Sequence, residues 1–280
     1  MGKLNAAWLL VVAAVPLSAQ WPDYHTGKVP KLANGQPNLE APAPRTADGK
    51  IDFSGIWQYR GLGRGGAGAA SASPPQAGTG LGPTPRGPNQ FFNIGSTVEG
   101  GLPFTPWAAE LRKARAGENN KDNPDAHCLP LGLMQLHTHP QPRKIIQNPQ
   151  LIVVLYEAQA GIRQVFMDGR SLPPKDVQPW WYGYSVGHWE GDTLVVETTG
   201  FRDDVWLDVE GSPLTNTGKM TERFRRPNYG SLEMEIAVED PKSYTKPWTV
   251  KINQRLMPET ELIEFICNEN DRSGPHLVGK

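Results

Sequence analysis

A histidine and a carboxylate on the apolar faces of two strands are the residues of this chain with the greatest potential for chemistry. Alternation along 219–225 places Glu222 among apolar neighbours, and alternation along 182–188 does the same for His188. Burying a polar group without a partner costs about 1–3 kcal/mol, so an inward polar residue needs a reason. Burial and mutual charge shift the pKa values of such a pair, which suits general acid–base catalysis. The pattern predicts a catalytic site of His188, Glu222 and Tyr184.

A structural role for the same residues is the alternative. Glu222 could pair with Arg163, Arg223 or another cation at a barrel mouth, and His188 could form a structural hydrogen bond at a strand end. Structural ion pairs imitate active sites, so the pattern leaves both interpretations open.

Aromatic residues suggest a ligand site in the same interior. The chain has nine tryptophans, which could stack against flat ligands or sugar rings but could equally be packed core. The ligand-binding candidates are Trp57, Tyr182, Arg163, Gln254 and Trp248.

A metal site is considered and not predicted. Three histidines and a thiol, His127, Cys128, His137 and His139, lie within a short span, and a His-x-His pair on a strand suits zinc or copper. Prolines make this span a loop, however, and we expect Cys128 to be in a disulfide.

Cofactors and charged polymers are not predicted as partners either. The Gly-x-Gly-x-x-Gly letters at 61–66 are followed by no helix, so the phosphate-cradling arrangement is lacking. The formal net charge of −1 gives no excess of cations to attract a nucleic acid or an anionic membrane surface.

The elements that must position these residues are mostly strands. Only one helix is predicted, from Pro106 to about Arg115, after Thr105 as N-cap. Short strands at regular spacing, separated by turn signals, are typical of an antiparallel up-and-down β-barrel in an all-β fold. The predicted strands cover 51–59, 151–157, 162–168, 182–189, 193–199, 219–225, 231–239, 248–257 and 261–267.

The chain divides around this single barrel domain. A basic residue, an apolar run and a small-residue cleavage site predict a signal peptide at 1–19, removed on export. The remaining segments are an extended arm at 20–50, the barrel at 51–270 with a Gly/Pro-rich insertion at about 60–104, and a tail at 271–280. In an oxidising compartment the only two cysteines, Cys128 and Cys267, are expected to pair.

The segment Phe53-Ser54-Gly55-Ile56-Trp57 resembles the Gly-x-Trp signature of lipocalins and related calycin barrels. The resemblance implies that Gly55 permits close backbone approach and that Trp57 closes one end of a barrel. It also implies an arginine packed on that tryptophan, for which Arg255 and Arg272 are the candidates.

Most of the mature chain resembles an uncharacterised family of exported bacterial proteins. The segments that carry this resemblance are DFSGIW, CLPLG, SVGHWEGDTLVVETTGF, TERFRRP, DPKSYTKPW and CNEN. The resemblance supports the disulfide and an exported location, and it implies no particular chemistry.

These observations together favour an exported, periplasmic or secreted protein that holds a small apolar or aromatic molecule in a β-barrel. One alternative is a barrel enzyme, such as a hydratase, isomerase or hydrolase, using a His/Glu pair. Another is an envelope protein that docks a partner. No nucleic acid and no stable membrane insertion after signal removal are expected.

Overall fold

Nine strands form a closed barrel in the computed structural model, which describes residues 29–62, 94–174, 176–267 and 269. The predicted signal peptide at 1–19, most of the Gly/Pro-rich insertion and the tail at 271–280 lie outside the described residues. Each strand pairs with the next in sequence, and β1 pairs with β9 to close the barrel. The strands are β1 (Gly55–Leu62), β2 (Arg143–Gln147), β3 (Leu151–Tyr156), β4 (Ile162–Phe166), β5 (Tyr184–Glu190), β6 (Thr193–Thr199), β7 (Lys219–Arg225), β8 (Ser231–Glu239) and β9 (Trp248–Leu256).

The predicted all-β barrel is confirmed, with one difference in strand direction. All neighbouring strands are antiparallel except β4 and β5, which run parallel through the pairs Val165–Ser185 and Phe166–Val186. A parallel pair needs a crossover rather than a tight turn, and residues 167–183 provide this connection.

One predicted strand is wrong, and one strand was not predicted. Residues 261–267 form no strand, and Ile263, Phe265 and Ile266 are exposed. Because β1 and β9 pair with each other, the barrel offers no free edge to which this segment could add. The ninth strand is instead β2, which begins directly after Pro142.

Two α-helices accompany the barrel in the described part of the chain. The predicted helix is confirmed as α1 (Pro106–Gly117), and the Thr105 side chain accepts the N-cap hydrogen bond from the Ala108 backbone N–H. The second, α2 (Leu133–Thr138), was not predicted, and all six of its residues are buried. Its apolar side chains join the same core as the inward-facing residues of the strands.

Alternation determines which residues face the interior. On β7, β8 and β9 every second residue is buried, as expected for strands with one face on a core and one on solvent. The buried residues of these three strands are Met220, Glu222, Phe224, Leu232, Met234, Ile236, Val238, Trp248, Val250, Ile252, Gln254 and Leu256.

Segments outside the barrel are held by a disulfide, an ion pair and hydrogen bonds. The Cys128–Cys267 disulfide is confirmed and joins the loop before α2 to the segment after β9. In the arm, Arg45 pairs with Asp192, and the Ala41 carbonyl accepts a hydrogen bond from the Tyr229 N–H. Within the described part of the chain, no helix has both the length and the apolar character needed to cross a membrane.

Candidate functional site

The site is an ion-pair cluster inside the barrel, made of His137, Arg163, Ser185, Thr198 and Glu222. Each member comes from a different element, in order α2, β4, β5, β6 and β7. All five are buried, with at most 2% of their surface exposed. The four strand residues point inward because each occupies the inward phase of its strand's alternation.

Glu222 is the centre of the ion-pair cluster. Its Oε1 atom lies 2.7 Å from His137 Nε2 and 3.0 Å from an Arg163 guanidinium nitrogen. A second Arg163 nitrogen contacts Oε2, so the guanidinium clasps both carboxylate oxygens. The same guanidinium donates to the hydroxyls of Ser185 and Thr198, at 3.0 Å each. The cluster therefore provides hydrogen-bond partners for both the buried Arg163 cation and the buried Glu222 anion.

Electrostatics fix the protonation state of the pair. Burial raises the pKa of Glu222, but the charge of Arg163 and the contact with His137 outweigh it and lower the pKa to about 2. Burial lowers the pKa of His137 below its ordinary value of 6.5, against the opposing influence of Glu222. At neutral pH an ionised carboxylate thus faces a neutral imidazole.

The tautomer of His137 follows from these charges. An ionised carboxylate can only accept, so Nε2 must carry the proton and donate it to Glu222. Nδ1 is then an unprotonated acceptor, and it is buried without a hydrogen-bond partner among the described residues.

A second group of polar side chains, which we call the Arg143 cluster, consists of Tyr59, Arg143 and Tyr156. Arg143 faces Tyr156 across the β2–β3 pair, and it faces Trp57, two residues before Tyr59, across the β1–β2 pair. Residues on one face at such opposite or diagonal positions are within reach of long side chains. Tyr59 Oη and Arg143 Nε are buried and form no hydrogen bond with a described residue. Tyr156 Oη is buried beside the donor Arg163, and its own hydrogen has no acceptor among the described residues.

The predicted candidates Gln254 and Trp248 also face the interior on β9. The Gln254 amide nitrogen lies 3.2 Å from the sulfur of Met234, which is a weak acceptor. Gln254 Oε1 and Trp248 Nε1 are buried and have no hydrogen-bond partner in the described part of the chain.

The predicted placement of His188 beside Glu222 is wrong. The His188 side chain is 53% exposed and lies 3.4 Å from Glu190 on the outer surface. Tyr184 is on the same outer face, where its hydroxyl accepts a hydrogen bond from Arg170 and its ring stacks on Phe166.

The inner face of β5 carries Ser185, Gly187 and Trp189 instead. Ser185 is fully buried, and a Cβ on Gly187 would lie 2.5 Å from the sulfur of Met167. Small residues are needed here because Arg163 and Met167 occupy the adjoining space. In the sequence, outer-face residues of β5 such as Tyr184 and Val186 therefore resembled core residues.

The remaining ligand-binding candidates lie at the edges of this interior. Trp57 is fully buried, and its indole N–H donates to the Phe53 carbonyl at 2.9 Å. Tyr182 precedes β5, is half-buried and lies 6.3 Å from Tyr156 between ring centroids. Burial raises the pKa of Tyr182 to about 12, so its phenol is protonated at neutral pH.

The arginine over Trp57 is Arg226, whose guanidinium lies 4.8 Å from the ring centroid. Arg255 is exposed on the outer face of β9, and Arg272 lies outside the described residues. Arg226 lies just after β7, and it also hydrogen-bonds the backbone carbonyls of Asp52 and Tyr229.

The histidines of the considered metal region are not on a strand. His137 is in α2 and is bonded to Glu222, while His127 is exposed and contacts the Lys121 carbonyl. Within the described ranges, no group of three or more His, Cys, Asp or Glu side chains is arranged to hold a metal ion.

A cleft of about 310 Å³ lies away from both polar clusters. It is lined by glycine backbone, Phe104, Arg112 and the Asp208–Ser212 turn. The buried Asp208 carboxylate accepts hydrogen bonds from the backbone and hydroxyl of Ser212. The carboxylate is thus engaged in its own turn.

Comparison of the chain with protein-family models, with curated proteins and with solved structures gave no match.

Sequence reasoning identified Glu222, Arg163, Gln254 and Trp248 but missed His137, Arg143 and both phenols of the Arg143 cluster. The sequence pattern could have identified Tyr156, because it shares a face with Ile152 and Val154 in a predicted strand. His137 lies in a span assigned to loop, and Arg143 follows that span in residues assigned to no strand, so no periodicity marked an inward face.

Proposed function

We propose that this protein is an exported binding protein that holds a small molecule inside its barrel. The molecule combines an apolar or aromatic body with polar groups. The observation that carries the proposal is a set of buried polar atoms inside the barrel, each with a hydrogen-bonding position that no described residue satisfies. These atoms are Tyr59 Oη, Arg143 Nε, Tyr156 Oη, His137 Nδ1, Trp248 Nε1 and Gln254 Oε1.

More than nine in ten buried polar groups in folded proteins are hydrogen-bonded, and each unmet group costs about 1–3 kcal/mol. Six such atoms in one barrel would be a heavy penalty without an occupant. A ligand with donors and acceptors satisfies them, while the surrounding aliphatic and aromatic residues contact its apolar part. The disulfide supports export, because such bonds persist in oxidising compartments.

Native mass spectrometry of protein purified from its own host, without denaturation, tests this function. The expected result is a reproducible excess mass that is lost on denaturation. Tyr156→Phe removes an interior hydroxyl and should reduce the bound fraction, whereas Tyr184→Phe removes an exterior one and should not. Independent preparations that contain only the polypeptide mass would contradict the proposal.

A second candidate function is general base catalysis by His137 on a molecule in the same interior. The observation in its favour is the tautomer, because Glu222 holds Nε2 and leaves Nδ1 as a bare acceptor. A neutral imidazole oriented by a carboxylate is the arrangement from which a proton can be abstracted.

Incubation of the protein with small-molecule extracts of the host tests catalysis. A compound should be consumed with the wild type and preserved with His137→Gln, whose amide can still donate to Glu222. Equal consumption by both proteins, or none by either, would reject this second candidate.

A further inference from the structure

We propose that the ligand carries an anionic group, such as a carboxylate, seated against Tyr59, Arg143 and Tyr156. This inference rests on the proposed binding function and specifies the ligand's chemistry. Two observations on the Arg143 cluster support it. The cluster has hydrogen-bond donors without acceptors, and the positive charge of Arg143 has no paired carboxylate among the described residues.

Each unmet atom of the Arg143 cluster carries a hydrogen that it can donate. Burial raises the pKa of Tyr59 to about 12, and burial also raises the pKa of Tyr156, so both phenols are protonated at neutral pH. The third atom is the Arg143 Nε–H. Three donors without an acceptor suit an oxygen-rich anion, because a carboxylate accepts up to about four hydrogen bonds.

The charges of the interior do not balance. Arg163 and Glu222 neutralise one another, and His137 is neutral because burial lowers its pKa. Arg143 forms no ion pair with any carboxylate in the described part of the chain. Among the described residues, Arg143 is therefore a buried positive charge that no carboxylate balances.

Backbone contacts do not remove that charge. The Arg143 guanidinium donates to the carbonyls of His137 and His139, at 2.7 and 3.1 Å, and lies 3.5 Å from that of Gln141. These contacts use the terminal nitrogens and leave Nε directed elsewhere. Burial lowers the pKa of Arg143 only to about 10, so it remains a cation at neutral pH. A buried unpaired cation is strongly unfavourable, and a ligand anion would compensate it.

The test compares two probes of nearly equal shape, 2-naphthoate and its neutral amide 2-naphthamide. Each is titrated against the full chain at neutral pH, with binding followed by the fluorescence of buried tryptophans such as Trp57 and Trp248. The variants are Tyr59→Phe/Tyr156→Phe, which keeps the Arg143 charge and its backbone bonds, and Tyr184→Phe as the exterior control. Circular dichroism and thermal unfolding establish that each variant is folded.

The anion proposal expects naphthoate to bind at least about tenfold more tightly than naphthamide, because hydrogen bonds to charged groups are the stronger class. The double variant should lose most of that preference, and Tyr184→Phe should keep it. Equal binding of the two probes would overturn the anion proposal and leave the binding function standing. A naphthoate preference that is retained in the double variant would show that the anion does not bind at the Tyr59 and Tyr156 hydroxyls, and it would overturn the proposed anion site. If neither probe binds, the anion proposal falls, and an absence of any co-purified mass would then reject the binding function too.

Discussion

His137 and Glu222 lie 85 residues apart in sequence and meet inside the barrel, with His137 Nε2 at 2.7 Å from Glu222 Oε1. This contact ties the short helix α2 to strand β7. Arg163 holds the other side of the same carboxylate, so one buried negative charge organises three elements.

Removing Glu222 alone should destabilise the fold strongly. Glu222→Gln leaves Arg163 as an uncompensated buried cation, and breaking one partner of a buried pair costs about 3–5 kcal/mol. Urea unfolding followed by circular dichroism measures the loss. The exposed Glu190→Gln, which removes a surface pair with Arg223, should cost no more than about 1 kcal/mol.

A double variant separates charge imbalance from lost packing. Glu222→Gln with Arg163→Met removes both charges, so it should be more stable than the sum of the two single losses predicts. Strict additivity of the two single effects would show that the pair is not energetically coupled.

Stability should fall steadily as the solution is acidified. The folded pKa of Glu222 is lowered from 4.5 to about 2, so the unfolded chain takes up a proton first as the pH falls through 4.5. The stability from this carboxylate is present above pH 4.5 and is lost between pH 4.5 and 2, about 3 kcal/mol in all.

Protonation of His137 also lowers the folding stability on acidification, but it does so at a higher pH than protonation of Glu222. Its folded pKa lies below 6.5, so its contribution is present above pH 6.5 and falls below it. Urea unfolding midpoints measured from pH 7.5 to 3 should show both losses of stability, the one from His137 and the one from Glu222. His137→Gln should remove the loss that begins below pH 6.5, and Glu222→Gln should remove the acid part. Identical pH profiles for all three proteins would contradict these charge assignments.

Reduction of the disulfide should destabilise the folded state. The Cys128–Cys267 bond spans 139 residues, and loop-closure entropy for such a span gives about 5 kcal/mol. Cys128→Ser/Cys267→Ser should lose up to this amount, and dithiothreitol should reduce the stability of the wild type but not of the variant. An equal effect of the reductant on both proteins would contradict the pairing.

A side chain at Gly55 should destabilise the fold. Its φ is +136°, and a Cβ there would lie 2.6 Å from the buried Leu256 side chain. Gly49 also has a positive φ, +80°, but nothing lies within 4 Å of its Cβ position. Gly49→Ala should cost about 1 kcal/mol for backbone strain alone, and Gly55→Ala about 3 kcal/mol because crowding is added. Equal unfolding free energies for the two variants would exclude crowding against Leu256.

Strand alternation predicted much of the barrel because each strand must bury one face. The inward positions of β7 and β9, including Glu222 and Gln254, followed from their apolar neighbours. Alternation failed on β5, whose outer face carries Tyr184 and Val186 and whose inner face begins with the small residues Ser185 and Gly187. Period two identifies the two faces of a strand, and only the neighbouring elements decide which face turns inward.

Helix α2 and strand β2 were beyond the reach of local patterns. A helix of six residues is too short for a periodic signal, and its N-cap Gly132 makes no side-chain capping bond. A Cβ on Gly132 would lie 2.1 Å from the Trp206 carbonyl oxygen, so α2 depends on a tertiary contact that the local sequence does not show. The prolines at 140 and 142 likewise obscured β2, which carries Arg143.

The most direct measurement is the electron density inside the barrel, from crystals of protein isolated without denaturation from its own host. The account predicts density beyond the polypeptide that reaches Arg143 Nε and the hydroxyls of Tyr59 and Tyr156, with an apolar part among the inward strand residues. An interior in which these atoms bond only to protein side chains, with no other density between them, would contradict it.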